Sequence, residues 1–412
     1  MSYFKHTELA EKYHVSLKTV YNWVDAAKLG KISLRVFRQG AYTYIADTPE
    51  NEVILRQLSD RGKKYRNVAY YKIISPKSEF YEIYSERQIL DIITNLSVHA
   101  EIPLQYNYLH EGALNWESRM KRFEAEGAHN SLMSTIELIT DNLVMIDRFL
   151  RGKSKVNVID LGVGNARPVK ELLAHLLERG VLHRYIGVDI SPAMLQIAER
   201  NIKNWYGERV KFEGYVRDIT QEQFDDLVVS DMLDEKADQT LNIVLLLGGT
   251  PVNFRSSDDA LKPIFNSMHR NDLLLHTLKT DTEASRRSLD LGSTPAPLEV
   301  ASNPFKYILD LLNIDETSYE VESGYDNEKR MRYVRARLKT AIQINFDLGG
   351  TKKRTISLEK GEAILLFRAW HISAQDIISE LGNAGFTFLH ASLAEDRQYF
   401  MAISGVEVRS DL

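Results

Sequence analysis

The sequence predicts an α/β protein whose main body is a parallel, doubly wound sheet, with a small helical domain and a hairpin ahead of it. Three observations carry that expectation. From Lys155 onward short apolar runs alternate with amphipathic stretches of helical spacing, the pattern of βαβ units. The first of these runs ends in a glycine-rich turn that opens a helix. Charge also divides the chain: residues 1–65 hold eleven Lys or Arg against seven Asp or Glu, near +4. The whole chain carries 52 against 57, so the remainder holds 41 against 50 and is near −9. An acidic body repels nucleic acid, so any DNA binding belongs to the first segment.

Composition narrows the chemistry. With 412 residues, 44% of them hydrophobic, the chain can bury two or three cores. It has no cysteine, which excludes disulfides, thiolate metal sites and a cysteine nucleophile, and with the last cytosine C5 methylation. We expect no metal. The opening MSYFKHTELAEKY lacks the apolar core of a signal peptide, and no run approaches a membrane span, so the expected location is cytoplasmic, with no membrane partner.

Residues 1–66 read as one module. Thr7 is placed to cap a helix bearing Leu9, Ala10 and Tyr13, and Ser16 to cap a second, SLKTVYNWVDAAKLG. Val20, Trp23 and Val24 share the inner face of that helix, which leaves Lys18, Thr19, Tyr21 and Asn22 outward, as major-groove reading requires. LRVFRQGAYTYIA alternates around Gln39-Gly40 as a hairpin, with Arg35 and Arg38 suited to phosphate, and ENEVILRQLSDRGKKY closes the unit as a third helix. Thr7 to Ala46 resembles the winged helix-turn-helix of the excisionase and MerR type. A protein contact is the alternative to DNA, since fold alone does not decide function.

Residues 67–150 read as a helical connector, with helices in SERQILDIITNL and in HNSLMSTIELITDNLVMIDRFLRG, the latter ending at Gly152. Between them LQYNYLHEGALNWESRMKRF is rich in aromatic residues and weakly periodic; it is either a substrate lid or an ordinary packed loop. The core of 151–280 then begins with the strand VNVIDLG, the helix VKELLAHLLERG and the strand YIGVDIS. VKFEGYV, TLNIVLLLGG, DLLLHTL, GEAILLFRAW and YFMAISGV follow as strands, the last two within residues 351–412, which are expected to complete the sheet.

Asp160, Gly162 and Gly164 form an acid-led turn after the first strand, where the backbone must bend sharply and admit a ligand closely. A dinucleotide needs a third glycine where this chain has Arg167, so NAD is disfavoured. S-adenosylmethionine needs acids rather than a phosphate cradle. Asp189 ends the second strand, where a carboxylate can accept both ribose hydroxyls; Asp218 follows the third and can accept from the adenine amino group. The methyl acceptor is expected beside the segment after the fourth strand, Gly248-Gly249-Thr-Pro-Val-Asn253, which lacks the Pro-Pro-aromatic signature of amino-methylating DNA enzymes.

These residues resemble the histidine-specific, S-adenosylmethionine-dependent methyltransferases that make trimethylhistidine for ergothioneine. DLGVGNA, GVDIS, GGTPVNF, YDNEKRMRYVRARL and GEAILLF…LGNAGF carry the resemblance over roughly residues 150–405, in the family's order. It implies a Rossmann-like class I methyltransferase fold with an inserted α+β substrate lobe at about 281–350. It also implies that Asn253 holds the acceptor's amino-acid moiety, the alternative being that it caps a local turn; Gly248 and Gly249, after the fourth strand, are expected to line the cofactor in this architecture. Tyr325, Arg330 and Arg332 become candidate acceptor contacts, or surface positions on a sheet. The family's Glu-x-Ser, which grips the imidazole, aligns on Phe367 and Ala369, neither of which can hydrogen-bond. A different acceptor follows, a small molecule or a peptide methylated on nitrogen. Arg368, Trp370 and His371 suit an anionic or planar one, or are ordinary strand residues. The competing functions are a ligand-sensing DNA-binding regulator without catalysis and a nucleic-acid methyltransferase.

Overall fold

The structure, a computed structural model, describes residues 3–39, 42–66, 71–127, 130–233, 237–282, 304–349 and 352–406. It divides into two compact units, Met1–Tyr71 and Lys72–Leu412.

In the first unit three helices, His6–Lys12, Leu17–Lys28 and Pro49–Arg66, accompany strands β1 (Tyr3–Phe4), β2 (Val36–Gln39) and β3 (Tyr42–Ala46), ordered β1-β3-β2. The Ser16 hydroxyl accepts from the Thr19 amide at 3.2 Å and so caps the second helix as expected. The first helix starts one residue before Thr7; there the Glu8 carboxylate accepts from the Lys5 amide at 3.1 Å. Val20, Trp23 and Val24 pack on Leu9, Tyr13, Ile45 and Leu55. Asn51, fully buried, ties the hairpin to the third helix: it accepts from the Arg35 amide at 2.8 Å and donates to the carbonyls of Arg35 and Ala46. The hairpin's expected turn at Gly40 lies outside the described residues.

The second unit is built on a seven-stranded sheet of β5 (Lys155–Leu161), β6 (Leu182–Asp189), β7 (Phe212–Val216), β8 (Thr240–Leu246), β9 (Leu273–Lys279), β15 (Phe386–Leu393) and β16 (Tyr399–Val406). Its order is β15-β16-β9-β8-β5-β6-β7. β5 to β9 are mutually parallel, and β16 runs antiparallel to both β9 and β15. β8 is buried along its whole length, as helices on both faces of a parallel sheet require. The strand order reverses between β5 and β8, which opens a crevice at their carboxyl ends.

Three findings correct the expected domain plan. GEAILLFRAW does not join the central sheet. As β14 (Ala363–Trp370) it pairs with β11 (Met331–Leu338), which pairs with β10 (Tyr319–Asp326) in a separate three-stranded sheet. Its burial alternates along the strand, matching one covered face rather than two. The place expected for it is taken by β15, which sequence reasoning did not single out. Second, part of the presumed connector belongs to this lobe. β4 (Lys72–Ile74) pairs with β12 (Ile342–Asp347), itself paired with β13 (Lys353–Leu358). Phe80, Tyr84, Ile92 and Leu96 share one apolar core with Ile308, Leu312, Val334 and Phe346. Third, the long helix expected up to Gly152 breaks at Asn142 into Ser131–Asp141 and Leu143–Phe149. The Asn142 side chain donates to the Leu138 carbonyl and the Ser392 hydroxyl, both at 2.7 Å, and so fastens the break to β15. Residues 283–303 of the expected insertion lie outside the described residues.

Candidate active site

The crevice is assembled from loops at the carboxyl ends of β5, β6 and β8. After β5 the chain turns through Gly162 (φ +78°) and Gly164 (φ +53°), backbone shapes that glycine adopts without strain. A Cβ on Gly164 would stand 2.6 Å from the indole of Trp116, so only glycine lets that ring lie against the loop. A Cβ on Gly162 would stand 3.4 Å from the hydroxyl oxygen of Thr250, which brings the turn after β5 beside the segment after β8.

Asp189, at the tip of β6, is almost wholly buried. Its carboxylate accepts from the Ser191 amide at 2.9 Å and, more weakly, from the Gly164 amide at 3.4 Å. Burial pushes its pKa up to about 6 against the pull of those amides. Asp160 accepts from the Tyr185 hydroxyl at 2.7 Å, and burial pushes its pKa up to about 7. Asp218 is committed differently. One of its oxygens accepts from both the amide and the hydroxyl of Thr220, a local turn-closing contact, and the other accepts from Gln221.

Behind β8, Gly248 (φ +73°) donates its amide to the Thr277 hydroxyl at 3.0 Å, and Gly249 precedes the short helix Thr250–Asn253. Asn253 is half-buried and makes no hydrogen bond among the described residues, so nothing there marks it as a turn cap. The lobe is fastened to this segment: the Trp370 indole donates to the Phe254 carbonyl at 2.7 Å.

The lobe residues divide. Tyr325, Arg332 and Ala369 lie directly opposite one another across β10, β11 and β14 and share a face. Tyr325 also packs edge-on against His371, with ring centroids 5.0 Å apart. Arg368 alternates onto the other face, buried, in an ion pair with Glu101, which also pairs with Arg255 at 3.3 Å. Its expected acceptor role thus meets a structural commitment. Arg330 pairs with Asp376 at 2.9 Å and lines a cavity of about 390 Å³ with Arg255, Trp370, His371 and Glu380; neither Asp160 nor Asp189 lines that cavity.

In the first unit Lys18, Tyr21 and Asn22 are exposed on Leu17–Lys28, as are Arg35 and Arg38 around the hairpin, whereas Thr19 is half-buried with its hydroxyl 2.9 Å from that of Ser16.

Sequence reasoning missed several groups. The segment open between lid and loop is a short turn, Leu104–Tyr108, and a helix, Glu111–Glu126. That helix carries Trp116 onto the glycine loop and packs Ala113 on Met194 and Ile197 beside Asp189. Tyr108 is close enough to Asp189 and Arg119 to feel both charges, and burial pushes its pKa up to about 12. Asn107 is buried, and neither of its amide atoms is hydrogen-bonded among the described residues. The clustering of aromatic residues there was the available signal.

The donor set suits an adenosyl sulfonium better than a phosphate. Carboxylates border the turn, and Arg167, which follows it, is drawn off by Glu124 and by Glu171 at 2.9 Å. Among the described residues no cluster of three or more His, Asp or Glu could hold a metal ion, and no helix is long and apolar enough to cross a membrane.

Solved structures similar to this chain include a methyltransferase from Clostridium acetobutylicum ATCC 824 that depends on S-adenosylmethionine (13% identity over 72% of this chain and 99% of that one, TM-score 0.39). Others are human N-acetylserotonin methyltransferase (12%, 98% and 88%, TM-score 0.37) and magnesium protoporphyrin IX methyltransferase from Synechocystis PCC 6803 (14%, 74% and 98%, TM-score 0.35). No curated protein sequence matches the chain. The model of one family, described as histidine-specific methyltransferase, SAM-dependent, matches residues 85–404, well over half of the chain. The protein therefore belongs to the histidine-specific methyltransferase family and is a methyltransferase that uses S-adenosylmethionine.

Proposed function

We propose that the enzyme methylates a nitrogen of an amino-acid-like or peptidyl acceptor other than histidine, and that residues 1–66 recruit DNA or a protein partner. The observation that carries the catalytic half is the buried Asp189 carboxylate held by two backbone amides at the strand-order reversal. In this reading Asp189 accepts both ribose hydroxyls, Asp160 supports the turn from below through Tyr185, and the turn at Gly162 and Gly164 admits the methionine end. Gly248 and Gly249 border the same ligand. Asp218 contributes to the adenine end through the oxygen that accepts from Gln221, which keeps a second lone pair. When bound, S-adenosylmethionine supplies a methyl group on a positively charged sulfur, which a nitrogen lone pair displaces in line.

The chain's own part is to hold that nitrogen and to keep water away. Asn253, with both side-chain amide groups available, grips the acceptor's amino-acid moiety, and the face bearing Tyr325 surrounds the rest. Arg330 and Arg368 are better suited to holding the lobe than to touching the acceptor, because each already has a carboxylate. Phe367 and Ala369 offer an imidazole no hydrogen bond, which favours another acceptor. To test this, a metabolite extract is incubated with methyl-labelled S-adenosylmethionine and the labelled products are identified by mass spectrometry. Label on a nitrogen of an amino compound, lost with Asn253→Ala, is the expected result; label on oxygen, or in histidine, overturns it.

The exposed Lys18, Tyr21, Asn22, Arg35 and Arg38 support a polyanion-binding role for the first unit. Anisotropy titration of duplex DNA should give binding that weakens steeply with salt and with Arg35→Ala/Arg38→Ala. No binding at low salt assigns the module to a protein contact instead.

A further inference from the structure

The lobe sheet is rich in arginine, and among the described residues its arginines are matched to carboxylates with one exception. Arg335 and Arg337 both hold Glu322, Arg330 holds Asp376, and Arg368 holds Glu101. Asp326, the other acid of the hairpin, is opposite Lys329 at 3.7 Å. Arg332 is half-buried and has neither ion pair nor hydrogen bond among the described residues. The charges it feels are of its own sign: Arg119, on the helix that covers the glycine loop, and Lys279, at the carboxyl end of β9. Those neighbours put the guanidinium within electrostatic reach of the carboxyl end of β9 and of the helix Glu111–Glu126.

Its register matters as much as its isolation. Arg332 stands directly across from Tyr325 on one side and Ala369 on the other, and Phe367 follows two residues along the same face. Ala369 and Phe367 contribute no polar group, so the face combines an apolar floor, a phenol and a guanidinium without a counter-ion. A half-buried guanidinium that feels two other cations and has no carboxylate among the described residues is matched when an anion enters. Its planar fork suits a carboxylate or phosphate oxyanion.

We propose that Arg332 binds an oxyanion of the methyl acceptor, so that the substrate is an amino compound bearing a second acidic group, carboxylate or phosphate. This rests on the reading above that the Tyr325 face surrounds the acceptor. The test uses the full-length chain saturated with S-adenosylhomocysteine and titrated in a calorimeter with glutarate, with inorganic phosphate and with glutaramide, the uncharged counterpart of glutarate. At least one anion is expected to bind tenfold or more tighter than glutaramide, to lose tenfold or more with Arg332→Gln, and to recover in part with Arg332→Lys; which anion does so identifies the acidic group. Equal binding of the anions and the amide overturns the proposal, as does an Arg332→Gln variant that binds anions like the parent. The preliminary S-adenosylhomocysteine titration separates the two levels. Normal binding there with indifference to anions removes only this inference, whereas no binding there removes the cofactor site on which it stands.

Discussion

The central sheet and the lobe sheet β10-β11-β14 are built on opposite plans. β5, β8 and β9 are buried almost from end to end, their few inner polar groups such as Asn157 and Asn242 are hydrogen-bonded to each other, and acids stand near the carboxyl ends of β5 and β6 as Asp160 and Asp189. β11 and β14 largely alternate buried with half-buried positions, β10 is half-buried along most of its length, and the three carry their charges along the strand: Glu322, Arg332, Arg335, Arg337 and Arg368. In the first plan the ligand-facing residues are few and fixed by the turn geometry. In the second, charged side chains lie along the strands, so the acceptor specificity proposed above would rest on side chains that a small change can reassign. On the proposed assignment, the donor end of the reaction and the acceptor end are thus separable in both structure and energetics.

That separation can be broken by experiment. The largest expected effect is on Asp189→Ala. Two hydrogen bonds to a carboxylate at about 2 kcal/mol each imply roughly a thousandfold loss of S-adenosylmethionine affinity. Unchanged affinity by calorimetry would put the cofactor elsewhere. Arg368→Ala should act only on the lobe. Glu101 would keep Arg255 but lose its buried partner, costing about 3 kcal/mol of stability by denaturant unfolding with cofactor affinity unaltered. A variant that keeps its stability but loses the acceptor would return Arg368 to the substrate side.

Gly164→Ala adds a Cβ at a positive φ, 2.6 Å from the Trp116 ring, and should cost about 2 kcal/mol. Combining it with Trp116→Ala should recover the part due to the ring and leave the backbone strain, a split that a double-mutant cycle measures directly.

The smallest effect concerns pH. Asp160 holds its proton more tightly folded, with a pKa pushed up to about 7, than in the unfolded chain. The folded state then binds the extra proton between the two values, so this group's contribution is full at low pH and is lost as pH rises from about 4 through 7. Asp160→Asn should flatten that slope and stabilise the ligand-free protein by about 1 kcal/mol at pH 8. A thermal melt series showing the parent slope unchanged in the variant would assign the slope to other groups.

Much of the donor end was legible beforehand. Buried strands read as continuous apolar runs, and an acid or glycine closing such a run has few explanations, so DLGVGNA and GVDIS marked the crevice without any knowledge of packing. The lobe was far less legible. GEAILLFRAW is apolar enough to pass for another central strand, and only its pairing with β11 removes it to a second sheet. Arg368 and Arg332 look alike in sequence; one strand's pleat turns the first toward Glu101, and the neighbouring strand's register leaves the second beside Tyr325. Trp116 belonged to a stretch with little periodicity, and its contact with Gly164 joins residues far apart in the chain.

Local chemistry alone therefore determined the parallel core, its glycine turn, the acids at the strand tips and the charge contrast between residues 1–65 and the remainder. These follow from hydrophobic periodicity and backbone sterics, which act over a few residues. Strand partnership in the lobe, the break at Asn142, the cover that Trp116 forms and the solitary charge of Arg332 were decided only in three dimensions. Each depends on which distant segment supplies a hydrogen bond or a counter-charge, and the sequence of the segment itself does not hold that information.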